Sequence, residues 1–228
     1  MKATNGICVL IAALIIFCFP SKAKAFCQAT PPRIIIDLVD QGYVLDHTRD
    51  LATINAMGRS SIVHQHGSHP GNSVTRGITL AESFYEVSVL TTTADNRSGS
   101  ICAFPSEIRV RMGHQRPQFV AIQREYPVGS CQYNTILAHE LIHVEINKRG
   151  AQKYAGIMEQ AMRQVTGTPG FWPRLFRSQN EASQEITSYI NSIAKHVHDQ
   201  FQAEIHAHHG ALDSPESYRQ FQAACPSW

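Results

Sequence analysis

Apolar and polar positions change rhythm once along the chain. From Arg33 to about Pro127 the apolar residues come in short runs divided by turn residues. Arg33–Val39 (RIIIDLV) and Gly42–Leu45 read as strands, and Asp50–Met57 as a short helix with Thr48 or Asp50 near its cap. Phe84–Thr93 is rich in β-branched and aromatic residues. Glu107–Met112 and Gln118–Arg124 alternate as the arms of a hairpin turning through Gly113 to Pro117, and Ala94–Ser100 reads as a loop. After Pro127, Leu137, Leu141 and Val144 recur at i, i+4 and i+7, which predicts a helix from about Ser130 through Asn147. Gly150 is expected to break or bend it before a further segment to Val165. Thr166–Pro173 is a Gly- and Pro-rich connection, and a long helix follows from Arg174 to about His208, ended by Gly210. Asp213-Ser214-Pro215-Glu216 reads as the structural start of a last helix, Ser214 capping and Pro215 in the first turn. Strands first and helices second predict an α+β fold, strand-rich over 26–127 and helical over 128–228.

The N-terminus follows another pattern. Lys2 precedes an unbroken apolar run of 13 residues, Ile7 to Phe19, too short for a membrane span of about 20. Ala23-Lys24-Ala25 then places small residues where a signal peptidase reads, so residues 1–25 are expected to be a cleaved signal peptide. Export to the periplasm or the medium of a bacterium, with no permanent membrane span, is the corresponding expectation. Without those residues, which hold three lysines and no acid, the formal charge changes from +2 to −1. A near-neutral body lacks the basic face that nucleic-acid binding needs, so no nucleic-acid partner is expected. Cys27, Cys102, Cys131 and Cys225 remain, an even count that suggests two disulfides. Three connectivities are open; Cys102–Cys131 with Cys27–Cys225 is favoured, the second pair tying the ends of the domain together.

The residues that carry chemistry lie within the first long helix, as His139-Glu140-Leu141-Ile142-His143. Histidines four apart project from one helical face and can hold one Zn²⁺ per chain. Glu140 sits about 100° round from His139, within reach of a water on that metal. Zinc lowers the pKa of the water and the glutamate takes its proton as the water attacks a carbonyl, the requirements of amide hydrolysis. Random placement of 12 His and 11 Glu in 228 residues gives roughly 0.03 occurrences of the pattern.

The stretch TILAHELIHVEI resembles the active-site helix of zincin metallopeptidases, and YPVGSCQYNTILAHELIH is similar to small secreted bacterial zinc-protease-like proteins. Ile146 and Arg149 stand where a metzincin would need Gly and His, so the resemblance is to the gluzincin branch. It implies a zincin-like domain over 26–228, peptide or protein substrates (the peptide stems of the cell wall among them), and a third zinc ligand on a later helix. Asn180-Glu181-Ala182-Ser183-Gln184-Glu185 is similar to the gluzincin pattern there, which would make Glu181 that ligand and Glu185 the residue orienting a zinc-binding histidine. It further implies an edge strand that binds substrate backbone, for which Gln118–Arg124 is the candidate.

Other residues compete for these roles. Glu159 follows His143 by 16 residues and reads as part of the same helical segment, from which it would have to fold back to the metal. His196, His198, His206, His208 and His209 crowd the long helix; one could replace Glu181, or hydrogen-bond the oxyanion. His196, 15 residues after Glu181 and nearly on its face, is the candidate for that catalytic role. Tyr133 and Tyr189 could polarise a carbonyl, or be buried aromatics with one satisfied hydroxyl. Glu145 reads as solvated or salt-bridged. Phe171 and Trp172 would line a pocket or close the core, and His64, His66 and His69 would be a second metal site or an exposed loop. Against the exported zinc peptidase stands a secreted, non-catalytic zinc carrier or sensor, which has no need of Glu140. A weaker rival is an interaction module that kept the scaffold and lost turnover. His/Glu ligation alone also leaves iron open as the metal.

Overall fold

The computed structural model describes residues 28–64, 74–95, 99–168 and 172–228. The expected signal segment, Cys27, His66, His69 and Phe171 lie outside the described residues, as does the side chain of His64.

The protein is a mixed α+β molecule whose strands form two sheets. In the first, β5 (Ile101–His114) lies between β1 (Arg33–Val39), parallel to it, and β4 (Ser83–Asp95), antiparallel. A short β7 (Arg174–Phe176) pairs antiparallel with the start of β5. In the second, β6 (Gln118–Ile122) is central, with β2 (Tyr43–Asp46) parallel on one side and β3 (Gly77–Leu80) antiparallel on the other. The helix α1 (Leu51–His64) covers this sheet, burying Ile54 against Ile78 and Ala121.

The predicted hairpin of Glu107–Met112 with Gln118–Arg124 is corrected. Both segments are strands, but they belong to different sheets and do not pair. The chain passes from the first sheet to the second between His114 and Gln118, and β1 to β2 makes the same passage alongside it. The Gln118 amide donates to the Gly42 carbonyl at 2.8 Å where the two passages meet. A strand flanked on both sides by such partners has no edge left for its sequence neighbour. The hairpin of the first sheet is instead β4–β5.

Two long helices close the core. The helix α2 (Cys131–Gly167) and α3 (Gln179–Leu212) pack antiparallel, and with β5 they bury Ile108, Val110, Met112, Met158, Met162, Ile186, Ile190 and Phe201. Gly150 does not break α2. A Cβ there would stand 2.7 Å from Ile205 Cγ2 and 3.0 Å from the Phe201 ring, so the glycine serves the close approach of α3. Residues 174–176, expected in the long helix, form β7. The helix begins only after Ser178, whose hydroxyl accepts from the Glu181 amide at 3.2 Å, and it runs through Gly210. The final helix, α4 (Pro215–Gln222), starts as expected, with Ser214 accepting from the Ser217 amide. Among the described residues no helix is long and apolar enough to cross a membrane.

A disulfide joins Cys131, the first residue of α2, to Cys225 just beyond α4, their Cα atoms 5.8 Å apart. This overturns both expected pairings, Cys102–Cys131 and Cys27–Cys225. Cys102 is itself disulfide-bonded. The antiparallel return of α3 brings the chain's C-terminal segment back to the start of α2, so the ends of the helical half are what this bridge ties. Closing a loop of sequence separation 94, it is expected to contribute about 2–5 kcal/mol. Replacing Cys131 and Cys225 by serine should lower Tm in thermal denaturation by about 5–15 °C. An unchanged Tm would assign the bridge no part in stability.

Candidate metal centre

Ser130 starts α2 by accepting the Tyr133 amide at 3.2 Å, and the face that then turns inward is set by 3.6-residue spacing. Tyr133, Ile136, Glu140, His143, Asn147, Gly150 and Tyr154 are buried along it, with His139, Val144 and Ala151 beside them. Of the stripe read from sequence, Val144 is buried, while Leu137 and Leu141 are only partly so. The inward face at mid-helix is therefore polar. His139, Glu140 and His143 are 5%, 4% and 8% exposed, burial that such groups tolerate only with partners.

The partner is Asp213, the C-cap residue of α3. Its Oδ1 lies 3.0 Å from His139 Nε2 and 3.1 Å from His143 Nε2, and the two Nε2 atoms are 3.2 Å apart. Donor atoms about 2.0–2.1 Å from one tetrahedral ion stand roughly 3.3–3.4 Å apart, so these three are spaced so that they can hold a metal ion. Burial pushes the Asp213 carboxyl up, but hydrogen bonds from both histidines and their charge outweigh it and hold it well below the usual range. Burial lowers His143, yet the hydrogen bond and charge of Asp213, and the charge of Glu140, raise it on balance.

Around the triad stand three further groups. Tyr218 of α4 stacks on His139, ring centroids 5.2 Å apart, and its hydroxyl donates to Asp213 Oδ1 at 3.2 Å. Phe221 meets the same imidazole edge-on at 4.8 Å, so α4, held by the Cys131–Cys225 bridge, walls His139. Thr79 of β3 donates its hydroxyl to Glu140 Oε2 at 2.8 Å, with the Glu140 carbonyl at 3.1 Å. Burial raises the Glu140 carboxyl, opposed by His143, His139 and the Thr79 hydrogen bond. Gly77 lets β3 lie directly on α2, since a Cβ there would be 2.4 Å from Ile136 Cγ2 and 2.8 Å from Glu140 Oε1.

His209 of α3 approaches His143 from behind, their Nδ1 atoms 2.7 Å apart, and its Nε2 lies 2.9 Å from Asn147 Oδ1. Burial and the charge of His143 push His209 down to about 4. Two pockets flank Glu140. One is polar, lined by His143, Asn147, Gln202, His206 and His209. The other is lined by Val74, Arg76, Ile136, Phe221 and Trp228; Gly77 and Tyr218 border both.

Glu181 is not brought to the histidines. It sits in the first turn of α3, where its Oε2 accepts the Arg177 amide at 2.7 Å, some 48 Å of helix from Asp213. The reason is the hairpin of long helices. As α2 runs on, its partners on α3 run backward: His143 meets His209, Lys153 meets Glu204, and Tyr154 meets Phe201. The part of α3 that reaches the HELIH segment is therefore its end, not its beginning. Glu185, exposed near the same start, orients neither histidine, and His196 is exposed beside Gln200 at 3.2 Å.

The remaining candidates are placed as follows. Glu159 and Glu145 pair with Arg163 and Arg149 one turn on. His198 contacts Ser83 at 3.0 Å, His208 is exposed, and His206 borders the polar pocket. Tyr133 is buried edge-on to His47, and Tyr189 and Trp172 pack against the main core. Gln118–Arg124 supplies the central β6 rather than an edge; the edge strand beside the HELIH segment is β3. Asp213, Tyr218 and Thr79 were not singled out for chemistry from sequence. Asn147 could have been, standing four residues after His143 on the same face.

No family model, curated protein or solved structure matches the chain.

Proposed function

We propose that the protein is an exported zinc-dependent peptidase of zincin-like fold, with His139, His143 and Asp213 as the metal-holding residues. The observation that carries the reading is Glu140: a buried carboxylate, aimed by Thr79, that lines one pocket with His143 and Asp213 and a second with His139. A divalent metal held by two imidazoles and a carboxylate supplies a Lewis acid that activates water and polarises a carbonyl. Glu140 accepts the proton of the attacking water and returns it to the leaving amine. Its raised pKa suits both halves of that task. Tyr218, whose hydroxyl already points to the centre, donates to the oxyanion as it forms. The outer edge of β3 offers backbone groups to an extended substrate, and the pocket of Ile136, Phe221 and Trp228 accepts an apolar side chain.

A zinc carrier would need the triad but not a buried carboxylate beside it, whose desolvation costs stability. The test is a mixed peptide library offered to the purified protein, with elemental analysis of the same sample. One zinc per chain, cleavage abolished by a chelator and restored by zinc, is the expected result. Zinc without cleavage would favour the carrier, and iron in its place would redirect the chemistry to the oxygenases that share a two-histidine, one-carboxylate donor set.

A further inference from the structure

Behind His143 runs a chain of side-chain hydrogen bonds that none of the proposed chemistry uses. It starts at the Val144 carbonyl of α2, which can only accept. Gln118 Nε2 lies 3.3 Å from it, so the amide of Gln118 turns its NH₂ that way and its Oε1 the other. That oxygen is 2.8 Å from Asn147 Nδ2, which must donate to it. The orientation of Asn147 is thereby set, and its Oδ1 faces His209 Nε2 at 2.9 Å. His209 Nε2 accordingly carries a hydrogen. His209 Nδ1 then meets His143 Nδ1 at 2.7 Å, a contact that needs one hydrogen between two nitrogens. His143 turns Nε2 toward His139 and Asp213, and an imidazole that gives Nε2 to a metal keeps its hydrogen on Nδ1, so His143 donates and His209 Nδ1 accepts. Gln118 and Asn147 are 1% and 3% exposed, so water does not compete for the bond between them.

We infer that Gln118, Asn147 and His209 are positioning residues of the metal centre: anchored on the Val144 carbonyl, they hold a His143 hydrogen on Nδ1, so that Nε2, which faces His139 and Asp213, is the nitrogen that takes the metal. This rests on the reading of His143 as a metal ligand. A metal-binding imidazole is oriented by the partner of its other nitrogen, and that partner is ordinarily a carboxylate, a carbonyl or water. Here it is a second imidazole whose acceptor nitrogen exists only because Asn147 occupies the other one. The chain also links the site to β6, since Gln118 is the first residue of that strand. It accounts for two amides buried beneath the site, one opening β6 and the other one turn past His143 on α2.

The experiment has two arms. Protein labelled with ¹⁵N-histidine, free of metal and near neutral pH, is examined by long-range ¹H–¹⁵N correlation, which reports the tautomer of each imidazole. His143 should carry hydrogen on Nδ1, and His209 should carry it on Nε2 alone. A His209 that is doubly protonated, or protonated on Nδ1, overturns the inference. Zinc affinity is then measured by competition with a chelating dye for the wild type, His209→Gln and His209→Leu. Glutamine carries both an acceptor and a donor, so its affinity should stay within a few-fold of wild type. Leucine should lose roughly 10–100-fold, the usual cost of an outer partner. Equal affinities for the two variants, high or low, would reduce His209 to bulk. If the leucine variant does not fold, the wild-type tautomers still decide. If the wild type binds no zinc, the metal reading fails while the tautomers of the metal-free protein still test the chain.

Discussion

Glu140→Gln is expected to keep the metal and lose peptide hydrolysis by about 10²–10⁴-fold in kcat/KM, the range of a positioned general base. Glutamine has the shape of the carboxylate and still accepts the Thr79 hydroxyl, so the 2.8 Å contact survives. What disappears is the capacity to take a proton from water and hand it to the leaving amine. Stability should move the other way. Burial raises the Glu140 pKa in the folded chain above its ordinary value. Such a group favours folding only below its unfolded pKa and opposes it once pH rises through the folded one. At neutral pH the carboxylate is thus a burden that a neutral amide relieves, and the metal-free variant should have a Tm no lower than wild type. Lower activity with equal or higher stability is the signature of a residue retained for chemistry. Activity within tenfold of wild type would remove Glu140 from the mechanism.

Asp213→Ala and Glu181→Ala should behave as opposites. Asp213 supplies the oxygen that lies 3.0 and 3.1 Å from the two imidazole nitrogens. Its removal should cost metal affinity more than the roughly 10–100-fold that loss of an outer partner brings. Glu181 accepts one backbone amide at the start of α3, and losing it should cost about 0.5–2 kcal/mol of stability, as other helix-start partners do, with metal affinity unchanged. Both variants are measured by zinc competition and thermal denaturation. Unchanged affinity in Asp213→Ala, or lost affinity in Glu181→Ala, would return the third ligand to the position suggested by the Asn-Glu-x-x-x-Glu resemblance.

Individual elements were legible to different degrees. β1 is the run RIIIDLV with the expected bounds, and β4 and α4 start within a residue of expectation, because period-2 patterning and Ser-Pro capping are local signals. β3 had no such signal. GITL is four residues long, and its role comes from Gly77 lying against Ile136 and Glu140. Of the stripe read for α2 only Val144 is fully buried, for a related reason. Hydrophobic periodicity finds the buried face only where that face is apolar, and here it carries Glu140, His143 and Asn147.

What the sequence determined by itself is local: the α+β order, the caps, and two histidines with a glutamate on one turn of one helix. Those depend on residues within a few positions of each other, where helical or extended geometry alone sets the spacing. The tertiary structure decided the rest. Which carboxylate joins the histidines, which strand borders them, which cysteines pair and which amides lie beneath His143 all depend on long-range register. The continuous α2, passing through Gly150, and the antiparallel return of α3 place Asp213, 70 residues on, against His143. No spacing rule along the chain contains that register, because it follows from how long two helices run before the chain turns back.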